Sequence, residues 1–180
     1  MRKVKIITAD EAAKLVKNGD TITTSGFVAS AIPEALNKAV EKRFLETGEP
    51  NNLTYVYCGS QGNKDGRGAE HYAHEGMLKR YIAGHWATVP ALVKMALENK
   101  MEAYNVSQGA LCHLFRDIAA HKPGTFTKVG LGTFIDPRNG GGKVNDITKE
   151  DIIELVNIKG QDYLFYPAFP IHVAMILSLI

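Results

Sequence analysis

Three short stretches place amides, hydroxyls and glycines where an apolar run gives way to a helical pattern. The first spans residues 18–33. Asn18-Gly19 precedes the β-branched run 21–24, Ser25-Gly26-Phe27 ends that run, and Pro33 suits the first turn of the helix that follows. Such a turn exposes backbone N–H groups beside the positive end of a helix dipole, a setting for a phosphate or carboxylate. Its plain alternative is an ordinary strand-to-helix turn that needs one glycine for sharpness. The second stretch is the polar, glycine-rich segment 59–68, which carries Ser60 and Gln61 after the apolar run 53–58. It reads either as a solvated loop or as a ligand loop at the carboxyl end of a strand. In the third, Ser107-Gln108-Gly109 follows the run 101–106. A neutral glutamine amide can donate to a carboxylate or thioester oxygen without forming a tight ion pair. The plain alternative makes Ser107 a helix N-cap and Gln108 an exposed polar side chain.

Other constellations carry less. His71, His74 and Glu75 have a helical spacing that could present two metal ligands, but no third ligand accompanies them, so an exposed helix face and no metal site are expected. Cys112 and His113 are adjacent, hence about 100° apart on a helix, and cannot act as a nucleophile and its base. There is no Gly-x-Ser-x-Gly, no Walker loop and no full dinucleotide fingerprint. Trp86 reads as a packing residue.

These stretches need a scaffold, and the pattern supplies one. Apolar runs at 4–7, 21–24, 53–58, 80–83, 101–106 and 126–129 alternate with helical segments at about 9–17, 33–44, 69–74, 88–99 and 107–121. Thr8 and Glu11 form a capping box at the first helix, Thr148 would cap another short one, and 140–142 reads as a mobile glycine loop. The runs 155–158 and 163–166 read as a pair of strands. Repeated strand–helix units imply an α/β fold with a mostly parallel sheet covered by helices, in one domain over residues 1–180. The apolar end, 169–180, is expected to be a strand cut short, so the domain is expected to be truncated there.

Composition narrows the function classes. The 180 residues are 45% hydrophobic and 22% charged, with a net charge of +2, which favours neither nucleic acid nor an anionic membrane as partner. The two cysteines lie in no zinc-type spacing, and a reduced, cytoplasmic setting is expected. The basic start is interrupted by Asp10 and Glu11, unlike a signal peptide, and no apolar run approaches membrane-spanning length.

The chain resembles the family I coenzyme A transferases, in particular the propionate (lactate) type, over residues 1–174. Asn18-Gly19, Gly26-Phe27 and Pro33 stand at the spacing of the family signature, with Ser25 and Ala31 replacing glycines. Ser107-Gln108-Gly109 is similar to a Pro-Gln-Gly motif whose glutamine lies near the substrate carboxylate, with serine in place of proline. The wording of 53–71, 84–90 and 130–143 resembles the propionate and lactate transferases. The resemblance implies a Rossmann-like α-like domain whose substrate-binding residues are Gly26, Phe27, Ser60, Gln61, Gln108 and Gly109, with Ser60 or Gln61 facing the acyl group. It implies acyl-CoA and a short-chain carboxylate as ligands, coenzyme A as substrate and no cofactor. It also implies a β-like half supplying a catalytic glutamate, and a homo-oligomer when complete. In such enzymes the glutamate attacks the thioester and passes through an anhydride to a glutamyl-CoA thioester. None of Glu34, Glu70, Glu75, Glu102 or Glu154 sits in a matching motif, so no catalytic residue is expected in this chain. Two other readings remain open: a natural α subunit with a separate β chain, and a non-catalytic acyl-CoA or nucleotide-binding module.

Overall fold

The computed structural model describes residues 4–178. Five parallel strands form the main sheet: β1 (Thr21–Thr24), β2 (Leu53–Tyr57), β3 (Leu78–Ala83), β4 (Glu102–Asn105) and β8 (Val173–Met175), in the order β4-β3-β2-β1-β8. The helices are α1 (Ala9–Ala13), α2 (Glu34–Thr47), α3 (Pro90–Leu97) and α4 (Gln108–Ala119), with a 3-10 turn at Gly68–Tyr72. A second, antiparallel sheet joins β5 (Gly124–Thr127), β7 (Gln161–Pro167) and β6 (Glu154–Ile158) in that order.

Strand alternation divides the core in two. Ile22, Tyr55, Tyr57, Tyr81, Ala83 and Ala103 pack with α2, α3 and the 3-10 turn, through Ala39, Val40, Leu92, Met95 and Tyr72. Val56, Ile82 and Tyr104 point the other way, into a cluster with Leu111 and Leu114 of α4 and Leu164 and Tyr166 of β7. Helices therefore cover a mostly parallel sheet, the α/β architecture expected from the alternation of runs. Because β1 to β4 run parallel, the turns that leave them all open at the same carboxyl edge.

Several local expectations are corrected. Residues 4–7 form no strand, and Val4 and Ile6 are almost fully exposed; the run only leads into the helix cap. The capping box itself forms: Thr8 Oγ1 accepts from the Glu11 N–H at 3.2 Å, and Glu11 Oε2 accepts from the Thr8 N–H at 2.8 Å. Helix α1 stops at Ala13 instead of near Lys17, and the Arg43 guanidinium donates to the Ala13 and Val16 carbonyls, at and beyond its end, at 2.9 and 2.7 Å. Thr148 caps no helix; its hydroxyl oxygen accepts from the Ala103 N–H at 2.8 Å and sits beside β4.

The segment 140–142 is no free loop either. Asp136 is buried and accepts from both Nε and Nη2 of Arg138, at 2.9 and 2.7 Å, and from the Gly132 N–H at 2.9 Å. The Arg138 guanidinium, with these backbone donors, holds its carboxyl well below the ordinary range. From this knot the chain runs along the open edge of β4: Asn105 N donates to Gly142 O at 2.8 Å, and Val144 N to Ala103 O at 2.9 Å. The exposed edge of the sheet is thereby paired. The apolar C-terminal run does contain a strand, β8, whose Met175 is buried; Leu179 and Ile180 lie outside the described residues.

His71 is buried, not on an exposed helix face. Its Nδ1 lies 2.6 Å from Glu41 and its Nε2 2.9 Å from Glu34, joining the 3-10 turn to α2. Burial alone would raise the Glu34 carboxyl, but the hydrogen bonds from His71 and from the Gly68 N–H outweigh it and hold the group below the usual glutamate value. A depressed folded-state value adds stability above the unfolded value, lost as pH falls through the folded one. Glu34→Gln is therefore expected to cost about 1–2 kcal/mol at pH 7. The gap between the two melting curves should close below about pH 4. A gap unchanged in acid would contradict this role. For the β4 edge, Gly142 has φ +74°, and a Cβ there would stand 2.7 Å from the Asn105 carbonyl and 2.9 Å from Val106. Gly142→Ala should lower stability by about 1–3 kcal/mol in a denaturant titration.

Candidate active-site wall

The turn after β1 is built on a backbone contact. Gly26 has φ +110°, and a Cβ there would lie 2.7 Å from the Ser30 carbonyl and 2.9 Å from that of Ala31, so only glycine fits. Phe27 and Ser30 exchange backbone hydrogen bonds at 2.9 Å. Val28 and Ala31 adopt φ +53° and +55°, costly for residues with a Cβ. Ala31 is one of the positions where the family signature carries glycine. The strained turn is stitched to the loop after β2: Val28 N donates to Ser60 O at 3.0 Å and Gly62 N to Val28 O at 2.9 Å.

Ser60 and Gln61 do not present their side chains to the cleft. Both are buried. Gln61 Oε1 accepts from Thr24 Oγ1 at 2.8 Å and from the Tyr55 hydroxyl at 3.0 Å, while its Nε2 donates to the Ser25 carbonyl. The Ser60 hydroxyl bonds that of Thr88. Against the expectation that one of them faces an acyl group, both side chains are turned inward here, the Gln61 amide toward Thr24, Tyr55 and Ser25 and the Ser60 hydroxyl toward Thr88. Both hold the loop in place from beneath.

The exposed surface above them comes from other residues. A Cβ at Gly59 would touch the Phe27 ring at 3.4 Å and the Gln108 side-chain carbon Cδ at 3.6 Å. Gly84, after β3, lies so close to α4 that a Cβ would meet Gln108 Cα and Cβ at 2.7 Å. Phe27, 58% exposed, and the exposed Gln108 thus flank one glycine floor. Ser107 caps α4 by accepting from the Ala110 N–H, and so points Gln108 outward at the helix start. Gly26, Phe27 and Gln108 are brought together at one edge. Gly109 turns away, into a groove of about 470 Å³ between α4 and β5, with His113, Arg116 and Lys122. Gly59 and Gly84 were missed among the candidates, although a glycine just past an apolar run is a readable sign of close approach.

The wall has glycines, an amide and an aromatic face. The acidic groups singled out in the sequence are engaged elsewhere. Glu34 bonds His71, Glu70 accepts from the Gly66 and Ala91 N–H groups, Glu75 pairs with Lys100 and Glu102 with Arg80, while Glu154 is exposed on β6. Basic residues of 138–143 are occupied as well: Arg138 by Asp136 and Asp162, Lys143 by Asp151. Among the described residues no group of three or more histidine, cysteine, aspartate or glutamate side chains is set to hold a metal, and no helix is long and apolar enough to cross a membrane. The arrangement can donate a neutral hydrogen bond beside an apolar ring, and the glutamates named above are engaged or exposed elsewhere.

The profile of the family described as coenzyme A transferase matches residues 6–178. The chain is 41% identical over 172 residues to the caffeate CoA-transferase of Acetobacterium woodii, covering 96% of this chain and 33% of that protein. It is 28% identical over 134 residues to the acetate CoA-transferase subunit alpha of Escherichia coli, covering 74% of this chain and 58% of the subunit. The crystal structure of an acyl-CoA transferase from Escherichia coli O157:H7, in a thioester complex with CoA, superposes with a TM-score of 0.87 at 36% identity, over 94% of this chain and 33% of that one. The chain thus spans about a third of the length of the full-length relatives it matches. With residues 6–178 matched by the family profile and the parallel sheet superposed on a solved transferase, the chain belongs to the coenzyme A transferase family.

Proposed function

We propose that this chain is the α-like part of a transferase of the propionate (lactate) type, which moves CoA between short-chain acyl-CoA and carboxylates in the cytoplasm. The observation that carries the reading is the placement of Gln108, exposed at the start of α4 and sharing the Gly59 floor with Phe27. There its amide can donate to the acyl oxygen as charge develops on it, and the Phe27 ring can keep water from one side. Coenzyme A is the substrate, and no cofactor is needed. The glutamate that would take up the acyl group belongs to a β-like half, which completes the pocket from the other side and makes the chemistry possible. Acetate or propionate would be the acceptor; the names of the relatives range from acetate to caffeate.

A second reading, in which the chain works as an α subunit with a separate β chain, is favoured by its match to over half the length of the acetate CoA-transferase subunit alpha. Both readings predict that the chain alone transfers no CoA. In a CoA-exchange assay with acetyl-CoA and propionate, turnover should appear only when a matching β half is added. Robust turnover by the chain alone would refute the reading and redirect attention to its own glutamates. Binding of acyl-CoA without turnover, even after a β half is added, would favour a non-catalytic module. In the complemented enzyme, Gln108→Ala should slow acyl transfer about 10²–10³-fold, the loss seen when one donor to developing charge is removed. CoA binding should weaken far less. An unchanged rate would return Gln108 to a plain helix-start residue.

A further inference from the structure

The three-stranded sheet ends on an open edge. Strand β6 pairs with β7 along one side, residue for residue and without a bulge. Among the described residues no strand pairs with its other side. The remaining sheet edges are handled differently. Strand β4 is closed by residues 142–144, β5 lies along α4, and β8 has only three residues. Strand β6 has five residues with no proline, no lysine and no kink, and a single charge at Glu154. Leu155 and Ile158 are exposed, and Val156 is only half-buried. An unguarded apolar edge is a template for another strand.

The hairpin fixes which groups that edge offers. The loop between β6 and β7 is Lys159-Gly160, both at positive φ (+52° and +80°), as in a type I′ turn. Such a turn closes on a hydrogen-bonded pair, here Ile158 and Gln161. Alternation then gives the backbone groups of Val156 and Glu154 to β7 as well, and turns those of Leu155 and Asn157 outward. Side chains alternate between the two faces. Leu164 and Tyr166 of β7 enter the core, so Tyr163 and Phe165 stand on the outer face, with Val156 and Glu154 opposite them in register. Phe126 of β5 stacks on Phe165, with 4.4 Å between ring centroids, and extends that face.

We propose that β6 is an interface strand, which pairs antiparallel with β6 of a second copy of this chain about a two-fold axis at Val156. The edge is its own complement there. Val156 is the middle residue of the strand, so this axis pairs it over its whole length, Glu154 to Ile158. Leu155 faces Asn157 of the second copy, and Asn157 faces its Leu155. These are the residues with outward backbone groups, so each such pair exchanges both N–H and C=O bonds. Val156 meets Val156 of the second copy on the axis, as the closer, non-hydrogen-bonded kind of pair. Glu154 meets Ile158, and no like charges stand opposite each other. Both copies keep the same face outward, and the aromatic face runs on across the junction. Such a contact closes at two copies, so the edge is consumed instead of propagating.

The test is sedimentation equilibrium of the purified chain over a concentration series, with amide hydrogen exchange read at both ends of it. We expect a monomer–dimer equilibrium. The amides of Leu155 and Asn157 should be protected in the dimer and exchange freely on dilution, whereas that of Val156, bonded to β7, is protected in both. Val156→Lys and Val156→Glu should each weaken association about tenfold or more, because like charges then meet on the axis. Mixing the two variants should restore the dimer as a heterodimer, which also shows that both are folded. A chain that is monomeric up to its solubility limit would overturn the proposal. So would a dimer that neither substitution weakens, or one in which the Leu155 and Asn157 amides exchange as fast as in the monomer.

Discussion

The buried amide of Gln61 holds the ends of two neighbouring strands together, and the wall above it depends on that. Its oxygen takes Thr24 from β1 and Tyr55 from β2, its nitrogen binds the carbonyl of Ser25, and its backbone carbonyl accepts from Ala69 of the 3-10 turn. No water reaches it, so each unmade bond would cost about 1–3 kcal/mol. With the strand ends fixed, the turn 26–31 can hold two non-glycine residues at positive φ, a strain that free loops would release. Edge strand β8 adds a further tie, because Ser25 N donates to Met175 O and Leu177 N to Ser25 Oγ, at 2.9 and 2.8 Å.

The same logic explains why glycines, rather than reactive groups, dominate the surface. Gly26, Gly59 and Gly84 let backbone, ring and helix approach within van der Waals distance, leaving an apolar ring and one amide as the exposed chemistry. The carboxylates that might have served as nucleophiles are spent on architecture: Glu70 caps the start of α3, Glu102 holds Arg80 at 2.5 Å, and Glu34 and Glu41 enclose His71. On the proposed reading the wall positions a substrate, and the covalent step falls to the β-like half.

Much of this was legible in the sequence for physical reasons. Apolar runs of strand length followed by glycine turns located β1 to β4, and parallel connection then forces the turns to one edge, which is how Gly26, Phe27 and Gln108 could be grouped. What could not be read was direction. Ser60 and Gln61 looked like solvated polar groups, yet tertiary contacts with Thr88, Thr24 and Tyr55 turn them inward. His71 was misjudged for the same reason, since its partners lie on α2, thirty or more residues away. The mobile loop expected at 140–142 fails because the Asp136–Arg138 pair and the β4 edge supply bonds that glycine content alone does not reveal.

The central claim is that the turns after β1 to β4 form one wall of an acyl-CoA site. Titration of the nitrogen-15-labelled chain with acetyl-CoA, followed by backbone amide shifts, tests it most directly. The account predicts that the amides of Phe27, Gly59, Gly84 and Gln108 move together along one binding curve, while those of β5 to β7 stay still. Shifts confined to the antiparallel sheet, or none at saturating ligand, would contradict it.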